Sequence, residues 1–135
     1  MRVVRVGIIV LALGPGLFMA FDGLRALIIG DYLTPTTGPF AGQLGPWSRV
    51  VNAVGIAPRS MMMKVTFVLF GAAWLWANAG FLRRARWSAG ALATLAVATL
   101  WYLPVGTIVS VLILIGLTAL GRRPDNRPRS ASART

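Results

Sequence analysis

Three apolar runs limit what this chain can fold into. They cover 6–29, 61–82 and 87–120 of its 135 residues. Each is as long as the roughly 20 residues a helix needs to cross a ~30 Å hydrocarbon core. The third is too long for one crossing, and it carries "WYLPVG" near its middle. Pro104 disfavours helix at Leu103 and has no N–H to donate to the turn before it. Trp101 and Tyr102 are residue types that settle at a membrane interface. The run therefore divides into 87–103 and 105–120, joined by a tight hairpin set by Pro104 and Gly106. The expected fold is an all-α integral membrane bundle of four transmembrane helices, occupying residues 1–121.

Four crossings place both termini on one side, and the arginines say which side that is. Arg2 and Arg5 precede the first segment, "RRAR" (83–86) joins the second to the third, and Arg122, Arg123, Arg127, Arg129 and Arg134 follow the fourth. The opposite side receives Arg49, Arg59 and Lys64, spread through a longer loop. An excess of positive charge marks the cytoplasmic face, so both termini are expected there. A cleaved leader is disfavoured, because Phe18 would stand three residues before the cut at Ala20, where a small residue is wanted. The formal charge of +11 is thus explained by topology, with no nucleic-acid partner.

The loop 30–59 is rich in Gly, Pro and Thr, which is turn chemistry. Within it, "PWSRVVNAVG" predicts a short interfacial helix. Pro46 suits a first helical position and Gly55 a stop, with Trp47, Val50, Val51 and Val54 on one face. Trp47, Trp87, Trp101 and Tyr102 are expected interface anchors. The tail 122–135 is Pro, Ser and Arg without an apolar pattern, so it is expected to be disordered and to touch anionic headgroups.

The side-chain inventory excludes most chemistry. Cys, His and Glu are absent, and the only acids are Asp22, Asp31 and Asp125. The usual ligands for zinc and iron are missing, as is the commonest general base. No metal, no cofactor and no catalytic residue is expected, and the chain is read as a non-enzyme. Small residues form stripes: Ala12, Gly16, Ala20 and Gly23 in the first segment, and Gly90, Thr94 and Ala98 in the third. Such stripes let helix backbones approach closely. Pro15 deletes the hydrogen bond to the Leu11 carbonyl and predicts a kink. Asn78 is expected to bond across a helix interface.

Asp22 and Arg25 are charges inside an otherwise apolar segment. Three residues apart, they share a face and are expected to pair. Asp22 then acts as a structural counter-ion, with a proton or substrate site as the alternative. The pair is placed toward the interfacial segment around Trp47 or toward a partner subunit.

The stretch "RRARWSAGALATLAVATLWYLPVGTIVSVLILIGL" resembles the C-terminal half of small four-helix bacterial membrane proteins that join two helices by an aromatic-Pro-X-Gly-Thr turn, here Tyr102 to Thr107. DoxX-like proteins are similar in size and helix count. The resemblance implies a fold and a bacterial inner membrane, and no activity. The expected function is non-enzymatic: an accessory or scaffolding subunit of a larger membrane complex, or a homo-oligomer. The alternative is a small proton- or ion-coupled transporter in which Asp22 titrates.

Overall fold

The computed structural model describes residues 1–102 and 104–122. The expectation for the 122–135 tail therefore lies outside the described residues, apart from Arg122. Five α-helices and no strands occur among the described residues: α1 (Arg2–Ile29), α2 (Trp47–Ala53), α3 (Met61–Leu82), α4 (Ser88–Ala98) and α5 (Val105–Gly121). At 1.5 Å per residue, α1 is ~42 Å long and α3 ~33 Å. These two are long and apolar enough to cross a membrane. By the same rise α5 is ~25 Å and α4 only ~16 Å.

Four helices form a ring: α1 packs on α3 and α5, and α4 packs on α3 and α5. Neighbours run antiparallel. Gly16 meets Leu75, and Gly23 meets Val68, so the α3 number falls as the α1 number rises. Gly116 meets Ile8 and Val4, while Gly106 meets Tyr102 at the other end. Both the start of α1 and the end of α5 thus share one end of the bundle with the 83–87 turn. The 30–60 loop and the 99–104 turn share the other.

The α1–α3 seam is the tightest contact, and its cause is the small-residue stripe. Gly23 approaches so closely that an added Cβ would lie 2.8 Å from the Val68 backbone nitrogen. A Cβ on Gly71 would run into the Ala20 backbone. Below the glycines, Asn78 Nδ2 donates to the Ile9 carbonyl at 3.2 Å, and Arg5 donates to the Phe81 carbonyl while lying over the Phe81 ring. A buried amide donor and a guanidinium in an apolar interior need such acceptors.

Four local expectations change. Helix α1 begins at Arg2, not at residue 6, since nothing in the first turn opposes helix. Pro15 lies inside it. Helix α4 ends at Ala98 instead of reaching 103. There the β-branched Thr99 turns its hydroxyl onto the Leu95 carbonyl at 2.8 Å and faces Ser110 Oγ at 3.3 Å, and the chain leaves in successive turns. Thr107 Oγ1 then satisfies the Leu100 carbonyl at 2.7 Å. The Gly90, Thr94 and Ala98 stripe is exposed; α4 packs instead through Ser88, Leu92 and Ala96, because Trp87 folds over Gly80 and sets the helix rotation. Finally, Val54 is 71% exposed, because α2 stops at Ala53 and Gly55 turns the chain at φ +85°.

Candidate functional site

The site is built where the last turns of α1 meet the loop that follows. Gly30 ends α1 in the left-handed conformation, at φ 102°. Glycine adopts this without a Cβ penalty, and the chain can fold back over the helix end. The fold-back carries the Leu33 N–H to Asp22 Oδ1, at 2.6 Å. It also carries the Asp31 carbonyl to Arg25 Nη1, at 2.9 Å. The expected Asp22–Arg25 pair therefore does not form. Asp22 points inward and is 3% exposed, whereas Arg25 is half-buried and reaches over the helix end.

Ionic contacts fix the loop from outside. Asp31 Oδ1 accepts from Arg59 Nε at 2.8 Å and from the Tyr32 N–H at 2.9 Å. Arg59 also holds the Gly42 carbonyl, and Lys64 of α3 holds the Gly30 carbonyl at 2.6 Å. The Arg59 hydrogen bond pulls the Asp31 carboxyl below its usual range. These groups make Asp31 a clasp between the start of the loop and its end.

Aromatic packing fixes the loop from inside. Trp47 of α2 is buried, with its ring centroid 4.8 Å from Phe67, 5.5 Å from Tyr32 and 6.1 Å from Tyr102. Trp101 joins the edge of this cluster, at 6.2 Å from both Trp47 and Phe67. Such edge and tilted contacts add stability beyond the area they bury. Trp47 and Tyr102 are thus internal struts, which is a correction to their expected role as interface anchors. Trp87 stands at the opposite, arginine-rich end, half-exposed and stacked on Trp76 at 4.3 Å.

Between the loop, α1 and the start of α5 lies a cavity of ≈ 720 Å³. Six residues singled out in the sequence line it together: Pro15, Asp22, Trp47, Tyr102, Pro104 and Gly106. Arg25, Asn78, Trp87 and Trp101 do not. Gly106 permits the closure, since a Cβ there would lie 2.7 Å from the Tyr102 ring. The wall also holds Tyr32, which sequence reasoning did not single out, and Arg49, which it counted only as an external positive charge. The available signal was "GDYL": an aromatic directly after a helix-terminating glycine and an acid has to be covered by something. Tyr32 is 2% exposed, and its hydroxyl has no partner among the described residues. Burial, followed by the charges of Asp22 and Asp31, pushes that phenol up to about 12, so it remains a donor at neutral pH.

No group of three or more metal-ligating side chains exists among the described residues. The arrangement offers one buried carboxylate, two tyrosines, one amide and one guanidinium around a largely apolar chamber. It can hold a small molecule, and it presents no nucleophile with an activating base. Comparison with known proteins finds no match to the chain among family models, curated proteins or solved structures.

Proposed function

We propose that this chain is a four-span protein of a bacterial cytoplasmic membrane, with both termini on the cytoplasmic side. Its function is non-enzymatic: an accessory or scaffolding subunit of a larger membrane complex, or of a homo-oligomer. The observation that carries the reading is the direction of the side chains. Val3, Val6, Val10, Leu17 and Phe21 of α1, Leu69 and Trp76 of α3, and Ile108 and Ile115 of α5 are all exposed. Asn78, Ser88, Thr99 and Ser110 are buried. A soluble bundle reverses that order, because water drives large apolar side chains inward. In lipid no such drive exists between helices, and small or hydrogen-bonding residues make the interfaces.

Further support comes from the ends. The six arginines Arg2, Arg5, Arg83, Arg84, Arg86 and Arg122 gather at one end of the bundle. The seam with α3 argues that α1 is a permanent span, since removing a leader there would uncover Gly71, Trp74 and Asn78. The short α4 is prolonged by the 99–102 turns, whose backbone groups bond within the chain and to the Thr99 and Thr107 hydroxyls. The uncovered Gly90, Thr94 and Ala98 face of α4 favours a helix partner over lipid alone.

Purification in mild detergent tests the subunit reading. It predicts a stoichiometric membrane partner or a defined oligomer, and Gly90→Leu disrupts it. A monodisperse monomer that Gly90→Leu leaves unchanged defeats it. One observation favours the carrier reading instead: Asp22 forms part of a cavity wall with no cationic partner. Under that reading, proton-coupled uptake into proteoliposomes is lost in Asp22→Asn.

A further inference from the structure

The cavity has a distinctive charge pattern. Its wall carries one acid, Asp22, and one base, Arg49, and is otherwise neutral and largely aromatic or aliphatic. Neither charge has a salt-bridge partner among the described residues, and Arg25 acts on Asp22 only through space. Asp22 takes one hydrogen bond, from the Leu33 N–H, and no lysine or arginine reaches it among the described residues. Arg49 is exposed, and its guanidinium makes no hydrogen bond there. A buried carboxylate without a salt-bridge partner is costly to keep charged, so a cationic occupant would favour its ionised form.

We infer that this cavity binds the head of a zwitterionic amphiphile, with an ammonium group against Asp22 and a phosphate against Arg49. The inference rests on the four-span reading above. A guanidinium suits a phosphate because its planar fork can donate two parallel hydrogen bonds. The Trp47 and Tyr102 rings suit an ammonium, which aromatic faces attract. The volume of ≈ 720 Å³ accommodates a headgroup with its glycerol and leaves no space for two acyl chains. The chains have an exit through the open side of the cavity, where the lining residues Phe18 and Val105 are 42% and 63% exposed. They connect it sideways to the apolar faces of α1 and α5, where acyl chains would lie. That continuity favours a membrane lipid over a soluble phosphoamine.

The test uses the full chain extracted in a maltoside detergent and titrated separately with phosphatidylethanolamine and phosphatidylglycerol, with bound lipid counted by native mass spectrometry. The expected result is at least about tenfold tighter binding of the ethanolamine lipid, equivalent to one charge-assisted contact. Asp22→Asn abolishes the preference, whereas Arg49→Gln weakens both lipids about tenfold and leaves the preference in place. Equal binding of the two lipids by the native chain overturns the inference. If Asp22→Asn does not fold, Arg49→Gln decides, and unchanged affinity for both lipids overturns it. Glycerophosphoethanolamine is the soluble competitor: failure to displace the lipid supports a lipid occupant, and displacement at equal affinity overturns that assignment. A chain that is recovered in the soluble fraction refutes the four-span reading itself, whereas a membrane-extracted chain without headgroup preference refutes this inference alone.

Discussion

The α1–α3 seam and the loop-covered end of the bundle solve opposite problems. In the seam, two helices meet through Gly16, Ala20, Gly23 and Gly71, and backbone lies against backbone with no room for a methyl group. At the covered end, Tyr32, Trp47, Phe67 and Tyr102 prop elements apart, and a cavity of ≈ 720 Å³ remains. Removing side chains brings helices together when lipid gives no reason for them to associate. Large rings do the reverse, because they pack against one another at fixed separations and leave space beside them. Within one small chain, glycine makes contacts and aromatics make a chamber.

The seam should break most easily. Gly71→Val would drive a branched side chain into the Ala20 backbone, and overpacking of this kind costs about 3 kcal/mol or more. The expected outcome is loss of the folded protein, or a large fall in Tm in detergent. Gly90→Ala sharpens the contrast: nothing lies within 4 Å of that position, and the gain in helix propensity is up to ~1 kcal/mol. If the two variants have similar Tm values, the seam is not what holds α1 to α3.

The covered end should yield by a smaller step. Asp22→Ala leaves the Leu33 N–H without its acceptor, a loss of about 1–3 kcal/mol. Faster amide exchange in residues 31–35, with the α3 amides unchanged, would locate the damage in the loop. The α4–α5 hairpin comes next. Thr99→Val removes a hydroxyl that bonds Leu95 and faces Ser110, for an expected ~0.6 kcal/mol. The smallest effect is that of the Asp31–Arg59 clasp, whose side chains are about half exposed. Because Asp31 titrates below its unfolded value of 3.8, the clasp contributes fully above that pH. Its contribution disappears as pH falls through the folded value. Solvent screening limits it to a few tenths of a kcal/mol. Arg59→Gln should therefore lower Tm slightly at pH 7, and by less once the pH falls below the folded Asp31 value, where only the bond to the Gly42 carbonyl is left to lose.

The sequence made the seam legible and the chamber mostly illegible, for a physical reason. Small residues at helical spacing have few other uses in an apolar segment, so the stripe from Ala12 to Gly23 was readable. So was the α3 run, which forms as Met61–Leu82. The stripe from Gly90 to Ala98 has the same spacing but packs on no helix of this chain, because helix rotation depends on Trp87 seating over Gly80. The Asp22–Arg25 pair was misread for a related reason. Spacing along α1 makes the pair possible, but the left-handed turn at Gly30 brings Leu33 and Asp31 as competitors from outside the helix. Asp22, Trp47, Tyr102 and Gly106 were each visible as unusual residues, yet their convergence depends on loop closure, which leaves no periodic trace in a sequence.

The central claim is the four-span topology, and the absence of cysteine provides a clean background for testing it. Thr37→Cys and Arg86→Cys, made one at a time, are treated with a membrane-impermeant maleimide in intact cells and again after permeabilisation. Both positions are exposed, at opposite ends of the bundle. The account predicts labelling of Thr37→Cys in intact cells, and labelling of Arg86→Cys only after permeabilisation. Labelling of both in intact cells, or recovery of the chain in the soluble fraction, would contradict it.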